Sequence, residues 1–230
     1  MNDLYVRSLL PVSIYGSCLA EGINISFRDA LGDSCKFVSR MYSAWECTLF
    51  SIGTDCGGEL GEILSCIFGD ERLTILDFNV STFGGISDCV ERAIRVFCHI
   101  VRSGLEGSIR IALLVASRVL ISGNIGIFVV PDRYSVEFVR LVSAYCECDS
   151  DSKLCNFLRE YCIVYFKDVN IRIREDFDCY ARIYNIHGMY YPCKYVRHVS
   201  REEVDSGYRD GVIVEFGREY WVSSGDIVTC

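Results

Sequence analysis

The apolar positions of this chain fall into two periodicities, one in each part of the sequence. Up to about residue 160 most apolar runs recur every three or four residues, as on one face of a helix. Val38, Met41 and Trp45 form such a stripe, flanked by Phe37 and Thr48, and Asp33 is placed to cap a helix running to about Ser51. Glu59 to Phe68 reads as a second helix after a loop at Thr54 to Gly58, and Asp88 with Glu91 three residues on opens a third, running to Val101. Asp132 is placed to cap a helix with the face Val139, Val142 and Cys146, and Ser152 to Tyr161 supplies another. Ser108 to Ser122 is apolar throughout, a pattern that suits either helix or strand.

Strand signals interrupt these helices and then dominate. Ile23 to Phe27, Arg72 to Val80 (before a turn at Ser81 to Gly85) and Asn124 to Val130 read as strands. Cys162 to Arg174 reads as one or two more. At the end of the chain Ser200 and Glu203 fit a capping box, and Gly211 to Phe216 with Glu219 to Ser223 form a hairpin around Gly217–Arg218. The expectation is an α/β fold, with mixed α+β as its variant: a central mixed, partly parallel sheet with helices on its faces. A strand-rich part then ends in a helix plus hairpin. A single globular domain over 1–230 is expected, with possible substructure into an α/β core at 1–160 and a strand-rich lobe at 161–230. No repeat, low-complexity segment or linker-like stretch divides it.

Composition adds to this picture. Half of the 230 residues are hydrophobic and 23 % are charged, which predicts a large core and no disorder. The net charge of −8 argues against a protein that coats nucleic acid or an anionic membrane with its whole surface. The first residues make a poor signal peptide, because Arg7 and Pro11 interrupt the apolar run. Ile111 to Val130 is long enough to span a membrane, but Arg118 and the turn at Gly123–Asn124 mark it as core. A soluble, intracellular protein without membrane insertion is expected. The chain has no Gln, four Lys against nineteen Arg, and five Thr against 23 Ser. Such a skew fits a small replicon with a biased coding strand, such as a virus, and with it a virion-associated protein. A hyperthermophile would share the missing Gln but not the high Ser.

Fourteen cysteines raise the question of chemistry. Cys89 shares a helical face with Ile86, Ala93 and Phe97, and Cys155 and Cys162 share one with Leu158, so packed thiols are the main expectation. Cys179, His187, Cys193 and His198 carry ligand chemistry for zinc within twenty residues, though their spacing matches no familiar module. No other cofactor is expected. For nucleophilic catalysis, Cys98–His99 point apart on a helix, and Cys179 with His187 or His198 is a loose thiol–base pairing. The polar turn at residues 80–87 occupies a place where α/β sheets bind ligands, yet lacks GxxxxGK[ST] and GxGxxG.

The segment 167–201 interleaves aromatics with seven basic and four acidic residues. Arg172, Arg174, Arg182, Tyr184, Tyr190, Tyr191, Lys194 and Arg197 could hold single-stranded nucleic acid by stacking and phosphate contacts, or a protein partner. The competing structural reading is a twisted sheet in which Tyr packs and Arg pairs with Glu175, Asp176 and Asp178. The leading functional expectation is a non-catalytic structural or interaction protein assembling with itself or another protein. A nucleic-acid-binding accessory protein comes next, and an enzyme of unknown reaction, with its site at the 80–87 turn or a Cys nucleophile, comes third.

Overall fold

The chain alternates long buried helices with short strands and then turns into antiparallel sheet, as its two periodicities require. A computed structural model describes residues 3–31, 36–50, 85–104, 107–148, 152–169, 172–207 and 209–230. The expected loop at 54–58, helix at 59–68, strand at 72–80 and all but the end of the 80–87 turn lie outside the described residues.

Helix α1 spans Asp3–Ala20 and is almost wholly buried, with Val6, Leu9, Leu10, Val12, Ile14 and Cys18 in the core. It runs through Pro11, which cannot donate to the helical ladder, so packing rather than propensity holds it. Residues 23–26 then run extended into helix α2, Phe27–Leu31. The expected strand over Ile23 to Phe27 does not form. Ser26 and Asp29 cap one another, with each backbone N–H donating to the other's side chain at 2.9 and 3.1 Å, and this local exchange starts a helix instead. Helix α3, Lys36–Phe50, buries the expected stripe Val38, Met41 and Trp45.

Helices α4 (Cys89–Val101) and α5 (Ser108–Ser122) pack closely on each other. Asp88 caps α4 through Oδ1, which accepts from the N–H groups of Val90 and Glu91 at 2.8 and 3.2 Å. Strand β1, Gly126–Phe128, follows and pairs antiparallel with β2, Ile163–Tyr165. β1 is buried, and two hydroxyls satisfy the backbone groups of its last residue. Ser13 donates to the Phe128 carbonyl at 2.9 Å, and the Phe128 N–H donates to Ser117 at 3.1 Å. Between them lie a 3-10 turn at Asp132–Tyr134, α6 (Ser135–Cys148) and α7 (Ser152–Tyr161). A single helical turn, α8 (Phe166–Val169), succeeds β2, so the predicted strand stretch from 162 to 174 shortens to three residues.

The rest is sheet. Strands β3 (Cys179–Ile183), β4 (Met189–His198), β5 (Val212–Glu215), β6 (Glu219–Val222) and β7 (Ile227–Thr229) lie in the order β6-β5-β4-β3-β7. Every strand pairing among the described residues is antiparallel. Helix α9, Arg201–Asp205, carries the expected capping box between Ser200 and Glu203. A 3-10 turn at Ser224–Asp226 leads into β7, an element with no hydrophobic run long enough to announce it. The β4–β5 register slips at Val196, and such a bulge adds local twist. β6 swings back towards β3, so the sheet curls.

The curled sheet has two unlike faces. Its inner face buries Cys179, Ala181, Ile183, Met189, Tyr191, Cys193, Val212, Val214, Phe216, Tyr220 and Val222. On the other face Tyr180 and Tyr190 meet the N-terminal helices. Tyr180 donates to the Ser8 carbonyl at 2.9 Å, and Tyr190 stacks on Phe27 at 3.9 Å. One apolar cluster therefore runs from Val6 to Val222 through helices and sheet alike. The fold is mixed helix and strand, with its five-stranded sheet in the C-terminal part. Among the described residues no helix is long and apolar enough to cross a membrane.

Candidate functional site

The four ligand-type residues separate along the β3–β4 hairpin. Cys179 and Cys193 are direct cross-strand partners, and the Cys179 thiol donates to the Cys193 carbonyl at 3.3 Å. His187 lies in the hairpin turn with a left-handed φ of 58°, followed by Gly188 at 68°. His198 is the last residue of β4, five residues and about 16 Å beyond Cys193 at the rise of an extended strand. The hairpin therefore brings the two cysteines together and holds both histidines apart from them. Among the described residues no three His, Cys, Asp or Glu side chains gather as a metal site would need.

With no metal bound, the paired cysteines are also poor nucleophiles. Burial, reinforced by Asp178, pushes the Cys179 thiol up to about 12, and burial raises Cys193 as well. Both are neutral packing groups at physiological pH. The expected outcome of alkylation on the native protein is that exposed Cys146, Cys148 and Cys230 react while Cys162, Cys179 and Cys193 react only after denaturation. Peptide mass mapping checks it, and native labelling of Cys179 would contradict the packing role.

The basic–aromatic segment does not present one face. Tyr190 and Tyr191 are buried, and Tyr191 packs on Phe216 at 4.6 Å inside the curl. Arg182 is 22 % exposed, pairs with Asp132, lies 3.9 Å from Asp226 and donates to the Gly188 carbonyl at 3.2 Å. Arg174 binds Asp176 at 2.8 Å and Glu215 at 3.2 Å. Lys194 binds Asp178 at 3.0 Å, and Arg197 grips Glu203 through two hydrogen bonds of 2.7 and 2.9 Å. A phosphate backbone would have to displace carboxylates from each of these cations, so the twisted-sheet reading accounts for them better than a nucleic-acid face. Arg172 and Tyr184 are the two exceptions. Tyr184 is 55 % exposed in the hairpin turn, and no carboxylate among the described residues pairs with Arg172.

The Arg197–Glu203 pair has a pH signature. Hydrogen bonds from Arg197 and from Ser200 hold the Glu203 carboxyl well below its ordinary 4.5, at about 2. A depressed carboxylate stabilises the folded state above its unfolded pKa and loses that contribution as pH falls through the folded one. The expected result is a fall in stability between about pH 4.5 and 2 that Glu203→Gln lacks. A Glu203 carboxyl titrating near 4.5 by NMR would contradict the capped geometry.

Two surface features emerge, of which the residue patterns had singled out only Arg172. The first is the outward face of β4–β5–β6. Ile213 is the register partner of both Arg197 and Trp221, and Val196 stands at the adjoining bulge. Trp221 and Val196 are each 39 % exposed. The indole lies over Gly211, where any side chain would collide with it, and its Nε1 donates to the Arg209 carbonyl at 3.0 Å. Trp221 is thereby a fixed aromatic surface rather than a mobile one. A Trp on the outward phase of an alternating strand was the available signal. The second feature is a cleft of about 540 Å³ at the hairpin ends, lined by Arg172, Asn185, Ile186, Phe216, Arg218 and Tyr220.

The chain matches no family model, no curated protein and no solved structure. Its function is therefore argued from these surfaces.

Proposed function

We propose that the protein is a non-catalytic interaction protein that assembles with copies of itself through the outward face of β4–β5–β6. The observation that carries this reading is the fixed, exposed Trp221 beside Val196 and Ile213. Buried-anchor interfaces are built on rigid aromatic and aliphatic groups ringed by polar ones, and tryptophan is the most enriched of these anchors. Glu219 and the Arg197–Glu203 pair lie beside it on the same face of the sheet, a polar border of the kind such anchors have, and an isologous contact would present this one patch from both copies. Among the described residues β6 also lies at one end of the strand order, with the indole on this edge strand.

Trp221→Glu tests the face directly. It places a charge at the centre of the contact while leaving the inner face of β6, Tyr220 and Val222, untouched. Sedimentation velocity is expected to show a defined oligomer for the native chain and a shift towards monomer for the variant. An oligomer unaltered by Trp221→Glu would reject this face as the contact.

A further inference from the structure

Several cations of this lobe have no carboxylate partner among the described residues, Arg201 and Arg209 included, but two of them, Arg172 and Arg218, line one cleft at the hairpin ends. Arg174, Arg182, Lys194 and Arg197 each face a carboxylate. Arg172 and Arg218 meet none among the described residues, although both line the same cleft of about 540 Å³. That volume lies in the range of small-ligand sites.

Their positions are fixed by the β5–β6 turn. Gly217 adopts φ 71°, and a side chain there would come within 2.8 Å of the Arg172 Cγ. Glycine is thus required twice, for the turn and for the approach of Arg172. The Arg172 guanidinium lies 5.8 Å from the Phe216 ring centre, and the Arg218 guanidinium 5.0 Å from that of Tyr220. Arg218 Nε also donates to the Tyr220 hydroxyl at 3.0 Å. Both rings are buried, so each guanidinium rests on a rigid platform. Asn185, from the β3–β4 turn, also lines the cleft.

Two like charges lining one cleft give it a positive potential that favours an anion there. A carboxylate offers two oxygens in one plane, which one guanidinium fork can engage together. A phosphate group has three or more, and accepts from two forks at once. We propose that the cleft between Arg172 and Arg218 is a phosphate-binding site, filled by free phosphate or by the phosphate of a small monoester such as a nucleotide. This site is separate from the proposed self-contact and does not depend on it.

Calorimetric titration of the full native chain with inorganic phosphate, with uridine monophosphate and with acetate, at constant ionic strength, tests the assignment. Saturable one-to-one binding of phosphate is expected, with tenfold or greater weakening in Arg218→Gln and in Arg172→Gln and none in Arg201→Gln. Arg218 is exposed, so its variant keeps the fold even if the Arg172 variant does not. Equal affinities for phosphate and the nucleotide identify the bare phosphate group as the ligand, and tighter nucleotide binding identifies the monoester. Absence of phosphate binding, equal binding of acetate, or unchanged binding in Arg218→Gln overturns the proposal. Sedimentation of the same samples keeps the two readings apart. A chain that assembles without binding phosphate rejects only the cleft, and a monomer that binds phosphate rejects only the assembly.

Discussion

Replacing Phe27 by alanine is expected to lower stability by about 3–5 kcal/mol, the usual range for truncating a buried phenylalanine. Phe27 is almost wholly buried where the N-terminal helices meet the sheet. It stacks on Tyr190 at 3.9 Å with the rings nearly parallel, and meets Tyr15 edge-on and Tyr180 at a tilt, each at 5.4 Å. Collapse of the site is limited, because Tyr180 is also tied to the Ser8 carbonyl and cannot move in to fill the void. Domains of this size hold about 5–15 kcal/mol in total, and each kcal/mol moves the midpoint by about 2–4 °C. A fall in Tm of about 10 °C is therefore the expected reading in thermal unfolding, with Phe27→Leu recovering part of it. A loss below about 1 kcal/mol, the level of an exposed site, would mean that α2 is not seated on the sheet.

The second large effect concerns Arg182. Its guanidinium pairs with Asp132 from the helical part and approaches Asp226 before β7, while stacking beside Tyr184 and Tyr190. Arg182→Met leaves two carboxylates facing each other in a half-buried place. Breaking a fully buried pair costs about 3–5 kcal/mol; at 22 % exposure the expected loss is about 1–3 kcal/mol. Arg197→Met removes an exposed pair and is expected to cost less than about 1 kcal/mol. The contrast separates two roles for the same residues. Structural cations give unequal stability losses, whereas a nucleic-acid face gives small losses and a shared, salt-dependent fall in affinity. Urea denaturation of the two variants measures it, and equal losses would contradict the role assigned to Arg182. Adding Asp132→Asn to Arg182→Met should return part of the loss, since it removes one of the stranded charges.

The parts of this fold that sequence periodicity revealed are those stabilised locally. The α3 stripe of Val38, Met41 and Trp45, the Asp88 cap of α4, the Ser200–Glu203 box and the Gly217 hairpin each depend on residues a few positions apart. Helix α1 was opaque because it is nearly apolar all round and interrupted by Pro11, so no stripe stands out. Ile23 to Phe27 looked like a strand by composition, and the Ser26–Asp29 exchange overrode it. The site residues followed the same rule. Spacing put Cys179, His187, Cys193 and His198 within twenty residues, but the hairpin register alone decides that the cysteines meet and the histidines do not. Likewise Arg and Tyr alternate from 172 to 197, and which of them face solvent depends on carboxylates as distant as Asp132 and Asp226. The outward phase of Trp221 and the candidacy of Arg172 were legible, but the meeting of Trp221 with Ile213 and of Arg172 with Arg218 is made by strands and turns that pair only in the fold.

The reading of this chain as a self-assembling interaction protein rests on the outward face at Trp221, and the mass of the native protein in solution tests it most directly. Sedimentation equilibrium over a wide concentration range is expected to return a defined multiple of 26.0 kDa. A single species of 26.0 kDa persisting to the highest attainable concentration would contradict it.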